Sequence, residues 1–134
     1  MNAAKITPLH PHLQPTLLVV EDDVITRFAV ADELRAAGYK VLEASSAEEA
    51  IAILERLPVH LLFIDLHMPG AQSGLDVARV AQGCRPAPRI VLTSGKEPPD
   101  RAPEYQDLGP FIPKPYLMSR VIEIVRRSLD PTLD

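Results

Sequence analysis

Four short stretches of the chain carry side chains that chemistry can use. They are the acidic run Glu21-Asp22-Asp23, the carboxylate Asp65, the hydroxyls of Thr93-Ser94, and Lys114 between Pro113 and Pro115. Crowded carboxylates repel one another, so such a group either takes up a proton or gathers around a cation. Carboxylate oxygens suit a hard divalent ion, and Mg2+ commonly takes one or two of them while keeping waters and substrate phosphate oxygens. An ion of that kind would screen the pocket enough to admit a phosphoryl group. One carboxylate would then serve as nucleophile toward phosphorus. The lysine would stabilise the transferring oxygens, and the Thr93 hydroxyl would donate to the product phosphate. Taken singly, the features are ordinary. Asp23 reads as a helix N-cap, because it directly precedes a periodic run, and Thr93 alone reads as a satisfied strand-end hydroxyl. Asp65 is less ordinary, since it ends the wholly apolar run Leu61-Leu62-Phe63-Ile64, and so is Lys114, whose two proline neighbours restrict the backbone on both sides.

The elements that must position these residues alternate along the chain. Thr16–Val20 is a short apolar run expected of a strand buried on both faces. From Val24 to Ala37, Ile25, Phe28, Ala31 and Leu34 recur at helical spacing, and Gly38 supplies a stop. Lys40–Ala44 alternates as a strand near a sheet edge. Ser46 and Glu49 have the spacing of a capping box, and Ala47, Ala50, Ile51, Leu54 and Leu57 then form a helical face that ends at Pro58. Leu61–Asp65 is a second buried strand, followed by a loop with Pro69 and two glycines and a helix near Leu75–Ala81. Arg89–Thr93 and the short Phe111–Pro113 complete the strands. A helix over Tyr116–Leu129 closes the chain on Val121, Ile122, Val125 and Leu129. Strands alternating with helices predict a parallel sheet covered on both sides, and in such a sheet ligands bind beyond the carboxyl ends of the strands. All four chemical stretches fall at such ends.

Length and composition narrow the class. The chain has 134 residues, enough for one domain with a core of its own. Its 46% apolar and 24% charged residues match a soluble globular protein. With 14 basic and 18 acidic residues the formal charge is −4, which disfavours a nucleic-acid surface. No apolar run approaches the length of a membrane span, and the amino end lacks the apolar stretch of a secretory signal. Cys84 is alone, so neither an internal disulfide nor a cysteine–zinc cluster is expected. A cytoplasmic location follows as the expectation. Residues 1–15, with three prolines and the pair His10 and His12, read as a flexible extension; 16–129 as the domain; 130–134 as a tail.

The motifs together resemble the receiver domain of two-component response regulators. The resemblance rests on Leu17-Leu18-Val19-Val20-Glu21-Asp22-Asp23, Phe63-Ile64-Asp65-Leu66-His67-Met68-Pro69-Gly70, Val91-Leu92-Thr93-Ser94-Gly95 and Phe111-Ile112-Pro113-Lys114-Pro115, and it covers about residues 16 to 129. It implies a doubly wound α/β fold with a five-stranded parallel sheet in the flavodoxin-like order 2-1-3-4-5. By that resemblance Asp65 is the phosphoacceptor. Glu21, Asp22 and Asp65, with the backbone carbonyl of His67, bind Mg2+, with Mn2+ as an alternative. Thr93 is the hydroxyl switch, Lys114 the conserved-type lysine, and Phe111 the aromatic that changes rotamer. Asp65, Lys114 and Thr93 would carry the phosphoryl chemistry. The partners implied are a sensor histidine kinase or a histidine phosphotransfer protein and an unidentified downstream protein, without nucleic acid or membrane.

The sequence also departs from the family pattern. The Met68–Gly74 loop is about one residue longer than the commonest family pattern, Phe111 stands where tyrosine is frequent, and His67 is a polar, titratable choice expected at the pocket rim. The proline-rich segment Lys96–Pro110 predicts that the helix usual between the last two strands is absent or reduced to one turn. Only about five residues follow the last helix, so a stand-alone signalling module rather than an enzyme is expected, acting through protein contacts or as a phosphate shuttle or sink. The alternatives are a receiver excised from a hybrid kinase and an aspartyl-phosphate phosphatase. The second would need an acid two residues after the nucleophile, where His67 stands.

Overall fold

Apolar runs of four residues that bury both faces, Leu17–Val20 and Leu61–Ile64, can only be satisfied inside a sheet covered on two sides, and the computed structural model of the chain builds that arrangement. It describes residues 14–95 and 107–130. The elements are β1 (Thr16–Val20), α1 (Val24–Ala36), β2 (Lys40–Ala44), α2 (Ala47–Arg56), β3 (Leu61–Asp65), α3 (Gly74–Gly83), β4 (Arg89–Ser94), β5 (Phe111–Pro113) and α4 (Met118–Leu129). The five strands are all parallel in the order β2-β1-β3-β4-β5, so the chain order 2-1-3-4-5 holds. The segment 96–106, on which the reduced helix between the last two strands was expected, lies outside the described residues. So do residues 1–13 of the expected extension, His10 and His12 among them, and residues 131–134 of the tail. Among the described residues no helix is long and apolar enough to cross a membrane.

Alternate residues of each strand feed opposite cores, as the two-residue repeat requires. Leu18, Val20, Leu62, Ile64 and Leu92 pack with Ala50, Leu54, Val77 and Ala81 of α2 and α3. Leu17, Val19, Leu61, Phe63 and Val91 pack with Val30, Leu34, Val121 and Val125 of α1 and α4.

Helix faces and ends differ from the periodic reading in several places. On α1 the buried residues are Val30, Ala31 and Leu34, whereas Ile25 is 80% and Phe28 52% exposed. Only three residues separate the helix from the end of β1, at the margin of the sheet, so its first turns have little sheet to cover. On α2, Leu57 stays half exposed because the helix stops at Arg56. The expected α2 capping box is half made. The Ser46 hydroxyl accepts from the Glu49 N–H at 3.1 Å, but the Glu49 carboxylate turns to Ser45, accepting from its N–H at 2.7 Å and its hydroxyl at 2.8 Å. These bonds hold the Glu49 carboxyl below its usual range.

A complete box caps α3 instead, with Ser73 and Asp76 bonded reciprocally, which starts the helix at Gly74, one residue before Leu75. The start presses on the end of β3: a Cβ at Gly74 would fall on the Asp65 carbonyl and the Leu66 Cα. Glycine here is a matter of space, since only a bare Cα lets the helix approach that closely. The last helix begins at Met118, two residues later than expected, and the Lys114–Pro115 peptide is cis.

Candidate acidic phosphoryl site

β1 and β3 are hydrogen-bonded neighbours, so the residues that follow or end them emerge side by side. Glu21, Asp22 and Asp65 each place a carboxylate oxygen within 4.8 Å of the others. β4 lies next to β3 with Thr93 in register with Asp65, and β5 lies beside β4 with Pro113 opposite Ser94. The Lys114 N–H continues that ladder to the Ser94 carbonyl at 2.9 Å. Four distant segments therefore meet because the strand order brings their carboxyl ends together.

Lys114 closes the cluster. Its ammonium donates to Glu21 Oε1 at 2.6 Å and to Asp65 Oδ2 at 2.9 Å. The two carboxylates are almost wholly buried, at 3% and 5% side-chain exposure, against 26% for the lysine. Burial alone would push the ammonium toward its neutral form, but the two hydrogen bonds outweigh it and raise the pKa well above the lysine range. Burial also pushes the Glu21 carboxyl up, against the lowering effect of Lys114 and of the Asp23 N–H. That N–H donates to Glu21 Oε2 at 3.1 Å, and the His67 N–H donates to Asp65 Oδ1 at 2.9 Å.

Asp23 caps α1 as its position suggested. Its carboxylate accepts from the Thr26 N–H at 2.9 Å and from the Thr26 hydroxyl, and these bonds hold its pKa below the usual aspartate value. Asp22, unlike its neighbours in the cluster, is exposed.

Thr93 is fully buried and its hydroxyl has no hydrogen-bond partner among the described residues. A buried hydroxyl left unpaired costs about 1–3 kcal/mol. The site thus holds a donor that none of the described residues satisfies. Ser94, to which the sequence assigns no separate role, is buried and bonded at Oγ to His67 Nδ1 at 2.5 Å, so the exposed His67 ring is tied back to β4. Phe111 is in register with Leu92 rather than Thr93, half-buried against the α2–α3 core. Tyr116 lies edge-on to Phe63, ring centres 6.0 Å apart at 89°. Its buried hydroxyl also lacks a partner among the described residues, and burial pushes its pKa up to about 12.

The donor set suits a hard divalent cation. Three carboxylates and one ammonium leave two negative charges in excess, the charge such an ion balances, and all three donors are oxygens.

Residues 17–126 match the response regulator receiver domain. The chain is 30% identical over 116 residues to the transcriptional regulatory protein PdtaR of Mycobacterium tuberculosis, covering 84% of this chain and 56% of that protein. Of four curated relatives it matches, it spans between 15% and 56% of their length. Its fold superposes on a CheY-like receiver domain protein from Methanospirillum hungatei with a TM-score of 0.81 at 23% identity, over 90% of this chain and 98% of that one. It also superposes on the response regulator TrrA of Thermotoga maritima, determined in complex with Mg2+–BeF, with a TM-score of 0.79 at 25% identity, over 87% and 100% of the two chains. Sequence motifs, strand order and the clustered carboxylates agree with this match, and the chain belongs to the response regulator receiver domains of two-component systems.

Proposed function

We propose that this receiver accepts a phosphoryl group on Asp65 from a phosphohistidine of a sensor kinase or phosphotransfer protein. The observation that carries the reading is the convergence of Asp65 with Glu21, Asp22 and Lys114. One Asp65 oxygen attacks phosphorus, the P–O bond forms as the P–N bond breaks, and the imidazole nitrogen leaves with the electron pair and takes a proton from solvent. Glu21, Asp22 and Asp65, with the His67 carbonyl, would hold Mg2+ or Mn2+. When bound, the ion supplies positive charge opposite the phosphoryl oxygens. Lys114 orients the Asp65 carboxylate and offsets charge on those oxygens. The unpaired Thr93 hydroxyl finds its acceptor in a phosphoryl oxygen, and its inward movement opens space for the Phe111 ring, changing the surface around β4 and β5.

The partner that delivers the phosphoryl group is a protein. Val24, Ile25, Phe28 and Leu117 are 50%, 80%, 52% and 74% exposed, at the starts of α1 and α4, beside the acidic cluster. Apolar side chains gathered at a site rim mark a contact surface. The domain spans 16–129, works in the cytoplasm, and signals by protein contact rather than by turnover. Nothing favours the phosphatase reading, since the side chain two residues after Asp65 is turned to Ser94.

The test is intact-protein mass after incubation with acetyl phosphate and Mg2+. One phosphoryl mass should be added to the parent and none to Asp65→Asn, whose amide is no nucleophile toward phosphorus. Stoichiometric labelling of that variant at another residue would overturn the assignment.

A further inference from the structure

We propose that Arg27 is a positioning residue for the cation site, acting through the Glu21–Asp22 peptide. The inference rests on the metal reading of the acidic cluster and names a residue outside it. Arg27 lies in the first turns of α1 and donates through Nη1 to the Glu21 carbonyl at 3.0 Å. That carbonyl belongs to the peptide plane joining two of the three carboxylate residues. Fixing its direction therefore fixes how the Glu21 and Asp22 side chains leave the backbone relative to each other.

Glu21 is held at each of its other polar groups as well. Its N–H donates to the Ala44 carbonyl at 3.1 Å, Oε1 accepts from Lys114, and Oε2 from the Asp23 N–H. Of these partners Lys114 belongs to the site and would also meet an incoming phosphoryl group. The Ala44 and Arg27 bonds both hold the Glu21 main chain, and the Arg27 bond is the one that orients the peptide leading to Asp22.

The guanidinium is itself fixed. Arg27 Nε donates to Glu43 Oε1 at 3.2 Å, with side-chain exposures of 12% and 22%. Glu43 Oε2 in turn meets Arg35 Nη2 at 3.0 Å, and Arg35 Nη2 donates to the Val41 carbonyl at 2.9 Å. The Phe28 ring lies 5.4 Å from the Arg27 guanidinium carbon. The planar guanidinium holds Glu43 with one edge and the Glu21 carbonyl with another, whereas a lysine carries its donors on one atom and lacks that fixed fork geometry. The network resembles the outer shells that orient metal ligands in general. The difference is that it grips the ligand's main chain rather than its carboxylate.

Arg35 supplies the control, because it shares Glu43 but does not touch Glu21. Amide chemical-shift titration with MgCl2 in the parent, Arg27→Met, Arg27→Lys and Arg35→Met reads the affinity for the ion without any phosphoryl chemistry, and a melt of each reads the fold. Arg27→Met should bind Mg2+ about tenfold or more weakly, Arg27→Lys should fall between it and the parent, and Arg35→Met should stay within about twofold of the parent. Both methionine variants should melt lower than the parent. If Arg27→Met binds Mg2+ as the parent does, or Arg35→Met weakens it equally, the network is structural only and the proposal is overturned. A parent that binds no Mg2+ would instead overturn the metal reading itself. Should Arg27→Met fail to fold, the comparison of Arg27→Lys with Arg35→Met decides between the same two outcomes.

Discussion

Replacing Lys114 by methionine keeps most of the side-chain volume and removes a positive charge that meets both Glu21 and Asp65. The cost can be worked from the contacts. The lysine makes two charge-assisted hydrogen bonds, at 2.6 and 2.9 Å, to carboxylates that are 3% and 5% exposed. Hydrogen bonds to charged groups contribute about 1.5–3 kcal/mol each, and stranding a fully buried partner costs about 3–5 kcal/mol. The ammonium is 26% exposed, so water already competes for it, and the lower part of these ranges applies. A net loss of about 2–4 kcal/mol is expected, which for a domain of this size lowers the melting temperature by roughly 10 °C. The assay is urea unfolding at neutral pH with EDTA, where the midpoint should fall while the slope stays constant. The decisive comparison is the same substitution in a Glu21→Gln/Asp65→Asn background. There the lysine is a desolvated charge without counter-charges, so removing it should cost nothing or stabilise. A loss below about 1 kcal/mol in the parent, or an equal loss in both backgrounds, would refute the claim that Lys114 stabilises by offsetting the two carboxylates.

Three further outcomes follow from particular contacts. Gly74→Ala puts a methyl group against the Asp65 carbonyl and Leu66 Cα; it should cost about 1–3 kcal/mol by overpacking and slow labelling by acetyl phosphate, and a variant as stable and as reactive as the parent would contradict the close approach. Tyr116 has its folded pKa raised from 10.0 to about 12, so its contribution is intact below the unfolded value and is lost as pH rises through the folded one. The parent should therefore lose stability between pH 10 and 12 more steeply than Tyr116→Phe, which at neutral pH should be at least as stable as the parent because the buried hydroxyl it lacks has no partner among the described residues; parallel pH curves would exclude this. Ile25→Glu places a charge on the exposed apolar rim and should reduce phosphotransfer from a phosphohistidine protein about tenfold or more, leaving labelling by acetyl phosphate unchanged; equal losses with both donors would show that the site, not the docking surface, was damaged.

The sequence by itself determined the class of fold and the members of the acidic site. Strands such as Leu61–Asp65, apolar at every position before the last, can be satisfied only between two covering layers, and that requirement is local enough to read from a single run. A carboxylate or a lysine at the end of such a run is equally legible, because the apolar neighbours leave it no ordinary role. What lay beyond reach was whatever depends on which elements become neighbours. The half-exposed start of α1 shows this: Ile25 and Phe28 have helical spacing, but spacing states only that they share a face. The sheet margin decides that the face stays uncovered. Ser46 and Glu49 have the right interval for a reciprocal cap, yet the carboxylate finds Ser45 instead. Ser73 and Asp76 have the same interval and do close the box, so the interval alone does not tell the two apart. Nothing in the chain signals that Arg27, sixteen residues before Glu43, would meet it, nor that the Arg27 guanidinium would reach back to the Glu21 carbonyl. Gly74 looks like any loop glycine until β3 lies beneath it. Spacing along one element is set by its own repeat. Contact between elements is set by the packing of the whole sheet, so the residues of the site were visible beforehand and the parts that hold them in place were not.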